Sequence, residues 1–244
     1  MMLGIMLLFN FLLLVTCSSN SNSCKVNTKP LNIRFNTTNN IMIKGPINNG
    51  ISSKFIYDLS LLENKKNVYV YLDTPGGSID DGMQIVAQIK KYKLPCIAEK
   101  AYSMGFIIFQ SCEKRYIMSH TRLMQHQLSY GIRDEKLKID NYVRFIDSME
   151  KQLVEEQAER IGLDVDDFYE RTVNEWWLYG KNILKENCAD RMVNVECSVT
   201  LTKQNYTEEV GNYIYTYSKC PLIDKFIDKN KTSSSTYDPF IFTF

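Results

Sequence analysis

The chain has 244 residues, with 29 Lys and Arg against 28 Asp and Glu, a net charge of +1, and 44% hydrophobic residues. That length suits one domain of ordinary size with terminal extensions, and the apolar share is enough for a full core. The balanced charge gives no reason to expect a polyanion partner, and the basic face of a nucleic-acid binder is not visible in the sequence.

Met1 to Thr16 is almost wholly apolar and is followed by the small polar run Cys17-Ser18-Ser19-Asn20-Ser21. A stretch of about 15 apolar residues is short for a bilayer span and fits the core of a secretory signal; an uncleaved anchor is the alternative. Residues 1–18 are therefore read as a leader, 19–30 as a flexible lead-in, 31–197 as the folded domain and 198–244 as a C-terminal appendage. The implied address is the secretory pathway or the cell exterior, with membrane attachment if the leader stays on. The 7 cysteines fit that address. Cys197 and Cys220 are candidates to staple the appendage, whereas Cys96 and Cys112, in apolar segments, are expected to be buried thiols. Asn36-Thr37-Thr38, Asn205-Tyr206-Thr207 and Asn230-Lys231-Thr232 would accept glycans in a eukaryotic secretory route, making the chain a glycoprotein.

Folded structure is expected to begin near Leu31. Ile41 to Gly45 reads as a buried strand, and Ile51, Phe55, Leu59 and Leu62 mark one face of a helix. Val68 to Leu72 is a second strand, Ile79, Met83, Val86 and Ile89 a second helix, Cys96 to Ala98 a third strand, and Met104 to Ser111 an apolar helix. This alternation predicts an α/β fold with a parallel sheet and crossover helices. Arg115 to Gln127 reads as two short strands with His120 at the turn between them. A long helix follows from about Glu135 to Ile161, with Ile139, Tyr142, Ile146, Met149 and Leu153 as its apolar stripe and Gly162 ending it. Asp164 caps a further helix through Val173, and a last one lies near Lys181 to Glu186.

Four places in this layout carry chemistry. Pro75-Gly76-Gly77 lies at the C-terminal end of a strand, where open α/β sheets place ligands and where glycines expose backbone N–H groups. Ser103 opens a helix, so it is either a cap or a nucleophile. In the second role the unpartnered amide of Met104 stands beside its hydroxyl as an oxyanion donor. The chain has 2 histidines. His120 has the setting of a turn residue. His126, at the end of an apolar segment, is the base for Ser103 or else a structural imidazole. No metal ligand set and no cofactor motif is identified.

Asp73-Thr74-Pro75-Gly76-Gly77-Ser78-Ile79, Ala101-Tyr102-Ser103-Met104-Gly105 and Met124-Gln125-His126-Gln127 stand in the order and approximate spacing of the Clp proteolytic subunit (ClpP) family. Ile41 to Ile47 resembles that family's first core strand, and the likeness extends from about Asn40 to Val193. The resemblance implies a ClpP/crotonase-like fold of repeated ββα units. Ser103 would be the nucleophile and His126 the base, with Gly77 and Met104 supplying the oxyanion amides. The helix from Glu135 would be the long handle helix that pairs stacked rings. It also implies a polypeptide substrate, a homo-oligomeric ring and, in the usual family setting, an ATPase partner.

Two departures stand out. Where the family has the triad Asp, this chain has Asn174-Glu175-Trp176, so Glu175 occupies the Asp position and Asn174 is the uncharged alternative. The family's Gly-Leu-Val-Asp ending appears as Asn187-Cys188-Ala189-Asp190, with Asn suited to a left-handed cap. A secretory leader would also separate the chain from cytosolic ATP. The expected activity is a serine endopeptidase working through an acyl-enzyme, with an ATP-independent mode. The alternatives are a catalytically inactive relative used for binding or assembly, and a crotonase-like acyl-CoA enzyme.

Overall fold

The computed structural model describes residues 30–232. In chain order these form β1 (Leu31–Phe35), β2 (Asn40–Lys44), α1 (Asn49–Leu61), β3 (Tyr69–Thr74), α2 (Ile79–Tyr92), β4 (Cys96–Tyr102), α3 (Met104–Gln110) and β5 (Arg115–Gln125). There follow α4 (Lys136–Ile161), α5 (Val165–Thr172), β6 (Trp176–Tyr179), α6 (Lys181–Lys185), β7 (Arg191–Cys197), α7 (Val199–Lys203), β8 (Asn205–Val210), β9 (Tyr213–Ser218) and β10 (Asp228–Lys231).

The main sheet has seven strands in the order β1-β7-β5-β4-β3-β2, with β6 added antiparallel on β5. The pairs along that path are parallel, so β2, β3, β4 and β5 are linked by helical crossovers, whereas β1 passes to β2 through the short turn 36–39. Alternation along each strand divides the apolar residues between two faces. Ile41, Ile43, Val70, Leu72, Cys96, Ala98 and Ile117 face one cluster with the helices. Tyr71, Ile97 and Met118 face a second cluster with Ile33, Phe35, Val193 and Leu201.

Helix α3 is buried all round, from Met104 to Gln110, because it runs under the sheet between α2 and α4. Its last side chain anchors a buried polar knot. Gln110 accepts a hydrogen bond from Arg115 Nη1 at 2.6 Å and donates to the Cys188 carbonyl at 3.0 Å, while Arg115 Nη2 donates to Asp190 at 2.7 Å. Asn187, just before this knot, adopts φ 53°, the left-handed position expected of it. Burial pushes the free Cys188 thiol up to about 12, so it stays protonated.

Several expectations are corrected. Arg115 to Gln125 is one strand rather than two, and His120 is an exposed residue within it, not a turn residue. The strand changes partners midway: β7 pairs with Tyr116 and Ile117, and β6 with Arg122 to Gln125. Met118 to Thr121 form an offset in the register with β4, stitched by Thr121 Oγ1, which accepts from Met118 N at 2.8 Å and donates to the Ala98 carbonyl at 2.5 Å. Cys96 and Cys112 are not thiols but a disulfide, because α3 returns the chain beside the start of β4, with Cα atoms 5.8 Å apart. Cys197 and Cys220 are also bonded. Within the described residues of the appendage β8, β9 and β10 make an antiparallel sheet, and Leu222 packs on the second apolar cluster. In α4 the buried side chains Ile146, Leu153, Gln157, Ala158 and Ile161 all lie from Ile146 onward, whereas Leu137, Tyr142 and Phe145 are exposed. Among the described residues no helix is long and apolar enough to cross a membrane. The expected leader and nearly all of the lead-in lie outside the described residues.

Candidate active site

The glycine loop, the serine and the histidine meet at the C-terminal ends of β3, β4 and β5. Thr74, the last residue of β3, is buried and turns its Oγ1 to accept the Gly76 N–H at 3.1 Å. Gly76 and Gly77 then take φ 94° and 146°, a path that L side chains rarely follow. The bend is locked by Ile47, whose N–H donates to the Gly76 carbonyl at 2.8 Å and whose carbonyl accepts from Ser78 N at 2.9 Å. Both partners of Ile47 lie to either side of Gly77, leaving the Gly77 N–H without an acceptor among the described residues.

Ser103 occupies the N-cap position of α3, yet its hydroxyl makes no capping bond. It sits at φ 53°, ψ −120°, a region costing a non-glycine residue of order 1–3 kcal/mol. The neighbouring chain maintains the conformation: Ser103 N donates to the Met124 carbonyl at 2.9 Å, and its own carbonyl accepts from Phe106 N at 2.9 Å. The hydroxyl is therefore not a cap, and Oγ instead lies 2.8 Å from His126 Nε2. The Met104 N–H is the first of α3 and has no acceptor within the helix. A Cβ built on Gly76 would fall 2.7 Å from Ser103 Cβ and 3.1 Å from Met104 N, so the glycine loop lies directly against the serine turn. Gly105 allows the same closeness on the other side, where a Cβ would meet Thr74 Cγ2 at 2.6 Å.

His126 follows the last residue of β5 and is half-buried. Its Nδ1 has no hydrogen-bond partner among the described residues. Glu175 lines the same cleft as His126, Leu128, Tyr130 and Val173, a space of about 420 Å³. Its carboxylate accepts a hydrogen bond from Trp177 Nε1 at 3.0 Å rather than from the imidazole. Glu175 has φ 67°, a strained position directly before β6. Asn174 is exposed and makes no side-chain hydrogen bond among the described residues. Of the five expected site residues, Ser103, His126, Gly77 and Met104 converge, and Glu175 stands within the cleft without closing the set. His120 lies 3.9 Å from Glu99 and takes no part. The importance of Trp177 was not legible beforehand, because only the antiparallel pairing of β6 sets its ring 5.1 Å from Tyr102 and its indole on Glu175.

A strained serine at a helix start, paired with an imidazole beside two free amides on a parallel sheet, is an arrangement suited to the acyl-transfer chemistry of a hydrolase. The comparisons agree with that class. The model of the Clp protease family matches residues 26–196, and the chain belongs to that family. It is 27% identical over 161 residues to an ATP-dependent Clp protease proteolytic subunit 2 of Treponema denticola, covering 61% of this chain and 78% of the relative. It is also 27% identical over 168 residues to the subunit of the same name from Bifidobacterium longum, covering 66% and 80%.

Proposed function

We propose that this chain is a serine endopeptidase that cleaves unstructured polypeptides or peptides. Ser103 Oγ attacks the scissile carbonyl carbon while its proton passes to His126 Nε2. The carbonyl oxygen, now an anion, accepts from the Gly77 and Met104 amides. His126 returns the proton to the amine as the C–N bond breaks, leaving an acyl-serine. Water then attacks the ester carbonyl, its proton moving to His126 and on to Ser103 as the acid departs. Glu175 is the residue assigned to orient and offset the imidazolium, replacing the family's Asp. The observation that carries this reading is the 2.8 Å contact between Ser103 Oγ and His126 Nε2.

The proposed setting is the secretory pathway or the cell exterior, without an obligatory ATPase, in a homo-oligomeric ring. The apolar run of residues 1–16, the Cys96–Cys112 disulfide within the folded domain and the Cys197–Cys220 disulfide that ties the appendage to it support an oxidising address. The exposure of Asn36, Asn205 and Asn230 is compatible with glycans there. A fluorophosphonate probe tests the chemistry. Labelling should be lost in Ser103→Ala and His126→Ala and kept in His120→Ala, and unfolded protein should be cleaved without ATP. A second reading, an inactive relative used for binding, is favoured by one feature: the open Nδ1 of His126 with Glu175 turned to Trp177. Failure of the assembled wild-type protein to label would select it.

A further inference from the structure

Helix α4 reaches the histidine segment at two points, Gln125 and Leu128, which flank His126 in the chain. Gln157 is 4% exposed and Gln125 3%. Gln157 Nε2 donates to the Leu153 carbonyl of its own helix at 2.7 Å. Its Oε1 accepts from Gln125 Nε2 at 2.5 Å, and Gln125 Oε1 accepts the backbone N–H of His126 at 3.2 Å. The relay thus runs without a break from the backbone of α4 to the backbone of the histidine. Seven residues earlier on the same helix, Glu150 Oε1 accepts the backbone N–H of Leu128 at 3.0 Å. Seven residues are two turns, so the two side chains share one helix face about 10 Å apart. His126 is held between them.

Two buried amides are a costly way to fill space that a methionine or leucine would fill without desolvation. What the amides supply is direction, since each donor and acceptor has one partner and the chain of partners ends on His126. The remaining grips on the segment come from elsewhere: the Met124 carbonyl accepts Ser103 N, and Gln127 N donates to the Thr172 carbonyl at 3.2 Å. We infer that Gln157, through Gln125, and Glu150 are positioning residues that set the imidazole of His126 against Ser103, with α4 as the splint. This rests on His126 being the base of the proposed peptidase, and the test separates the two ideas.

The chain's 2 histidines make the ring directly observable. In full-length protein labelled with ¹⁵N-histidine, His120→Gln leaves a single imidazole, that of His126, and should leave fluorophosphonate labelling at the wild-type rate. Against that background Gln157→Met should move the Nε2 resonance and slow labelling about 10-fold, the effect of a sub-ångström misplacement. Glu150→Ala should act in the same direction, whereas Glu150→Gln, which keeps an acceptor oxygen, should restore both signals. Unchanged His126 resonances in folded Gln157→Met and Glu150→Ala overturn the inference, even if both melt earlier. Should Gln157→Met fail to fold, the Glu150 pair decides alone. A wild type that does not label, but whose ring resonances shift in the variants, keeps the splint and removes the peptidase. A wild type that labels, with resonances that do not shift, does the reverse.

Discussion

Gly76→Ala should disable the site while leaving the fold in place. A Cβ at this position would lie 2.6 Å from the Tyr102 carbonyl oxygen, 2.7 Å from Ser103 Cβ and 3.1 Å from Met104 N. Ordinary contact begins at 3.4 Å, so the first clash alone demands a retreat of about 0.8 Å (3.4 less 2.6). The two nearest atoms belong to or adjoin the backbone of the serine turn, so no flexible side chain can swing aside. The loop and the serine turn must therefore part, and the two oxyanion amides part with them. A displacement near 1 Å costs a positioned reaction about 100-fold. The φ of 94° adds strain for any L side chain. By contrast, the three atoms nearest a Cβ on Gly82 all belong to the Met104 side chain and none to backbone, so Gly82→Ala should part the loop from the serine turn less. The assay is the second-order rate of fluorophosphonate labelling, with circular dichroism and melting to establish folding. A folded Gly76→Ala protein that labels at the wild-type rate would refute the claim that this loop walls the oxyanion pocket.

Three further outcomes follow from the same geometry. Asp190→Asn should lower stability at neutral pH by about 3–5 kcal/mol, because it leaves the 2%-exposed Arg115 guanidinium without its charged partner. Burial pushes the Asp190 carboxyl up, but the hydrogen bonds and charge of Arg115 outweigh it and hold the group below its ordinary value of 3.8. Its contribution is therefore complete above that value and lost as pH falls through the lowered one, so the acid limb of a denaturation curve should flatten in the variant. Cys197→Ser/Cys220→Ser should cost about 3 kcal/mol of stability, the loop-closure value for a separation of 23 residues. It should not change labelling of Ser103, since the staple lies by the other face of the sheet. Glu175→Gln should reduce peptide turnover at least about 100-fold, as loss of the orienting charge does in a serine triad, and Asn174→Ala should not.

The α/β order and the ends of α1, α3, α4 and α6 to within about two residues were legible from local signals, and the meeting of Ser103 with His126 from the order of motifs shared with the Clp family, whereas α7 was not foreseen. Periodicity marked α1 and α2, Gly162 stopped α4, and Asp164 capped α5. What escaped depends on contacts distant in sequence. The Cys96–Cys112 bond requires knowing where a helix of seven residues returns the chain, and no composition rule reports that. The unity of β5 depends on which neighbour each half pairs with, β7 or β6. The appendage sheet has exposed faces on β8 and β10, so its strands carry none of the alternation by which a half-buried strand is recognised.

One choice of side-chain torsion decides whether the site is complete. Glu175 shares a cleft with the open Nδ1 of His126, but its carboxylate is engaged by the indole of Trp177. Trp177 is 54% exposed, so this bond competes with water and is worth about 1 kcal/mol, below the roughly 1.5–3 kcal/mol usual for a charged acceptor. An imidazolium forming on His126 during acylation offers the same carboxylate a charged donor, a stronger partner than a neutral indole. Trp177→Phe keeps a ring beside Tyr102 and removes only the competing donor. If Glu175 serves His126, the variant should label faster, by at most about fivefold for 1 kcal/mol released, and the gain should vanish in Trp177→Phe/Glu175→Gln. A Trp177→Phe protein that labels more slowly would mean that the indole holds the carboxylate ready for the ring, and the competition argued here would be wrong.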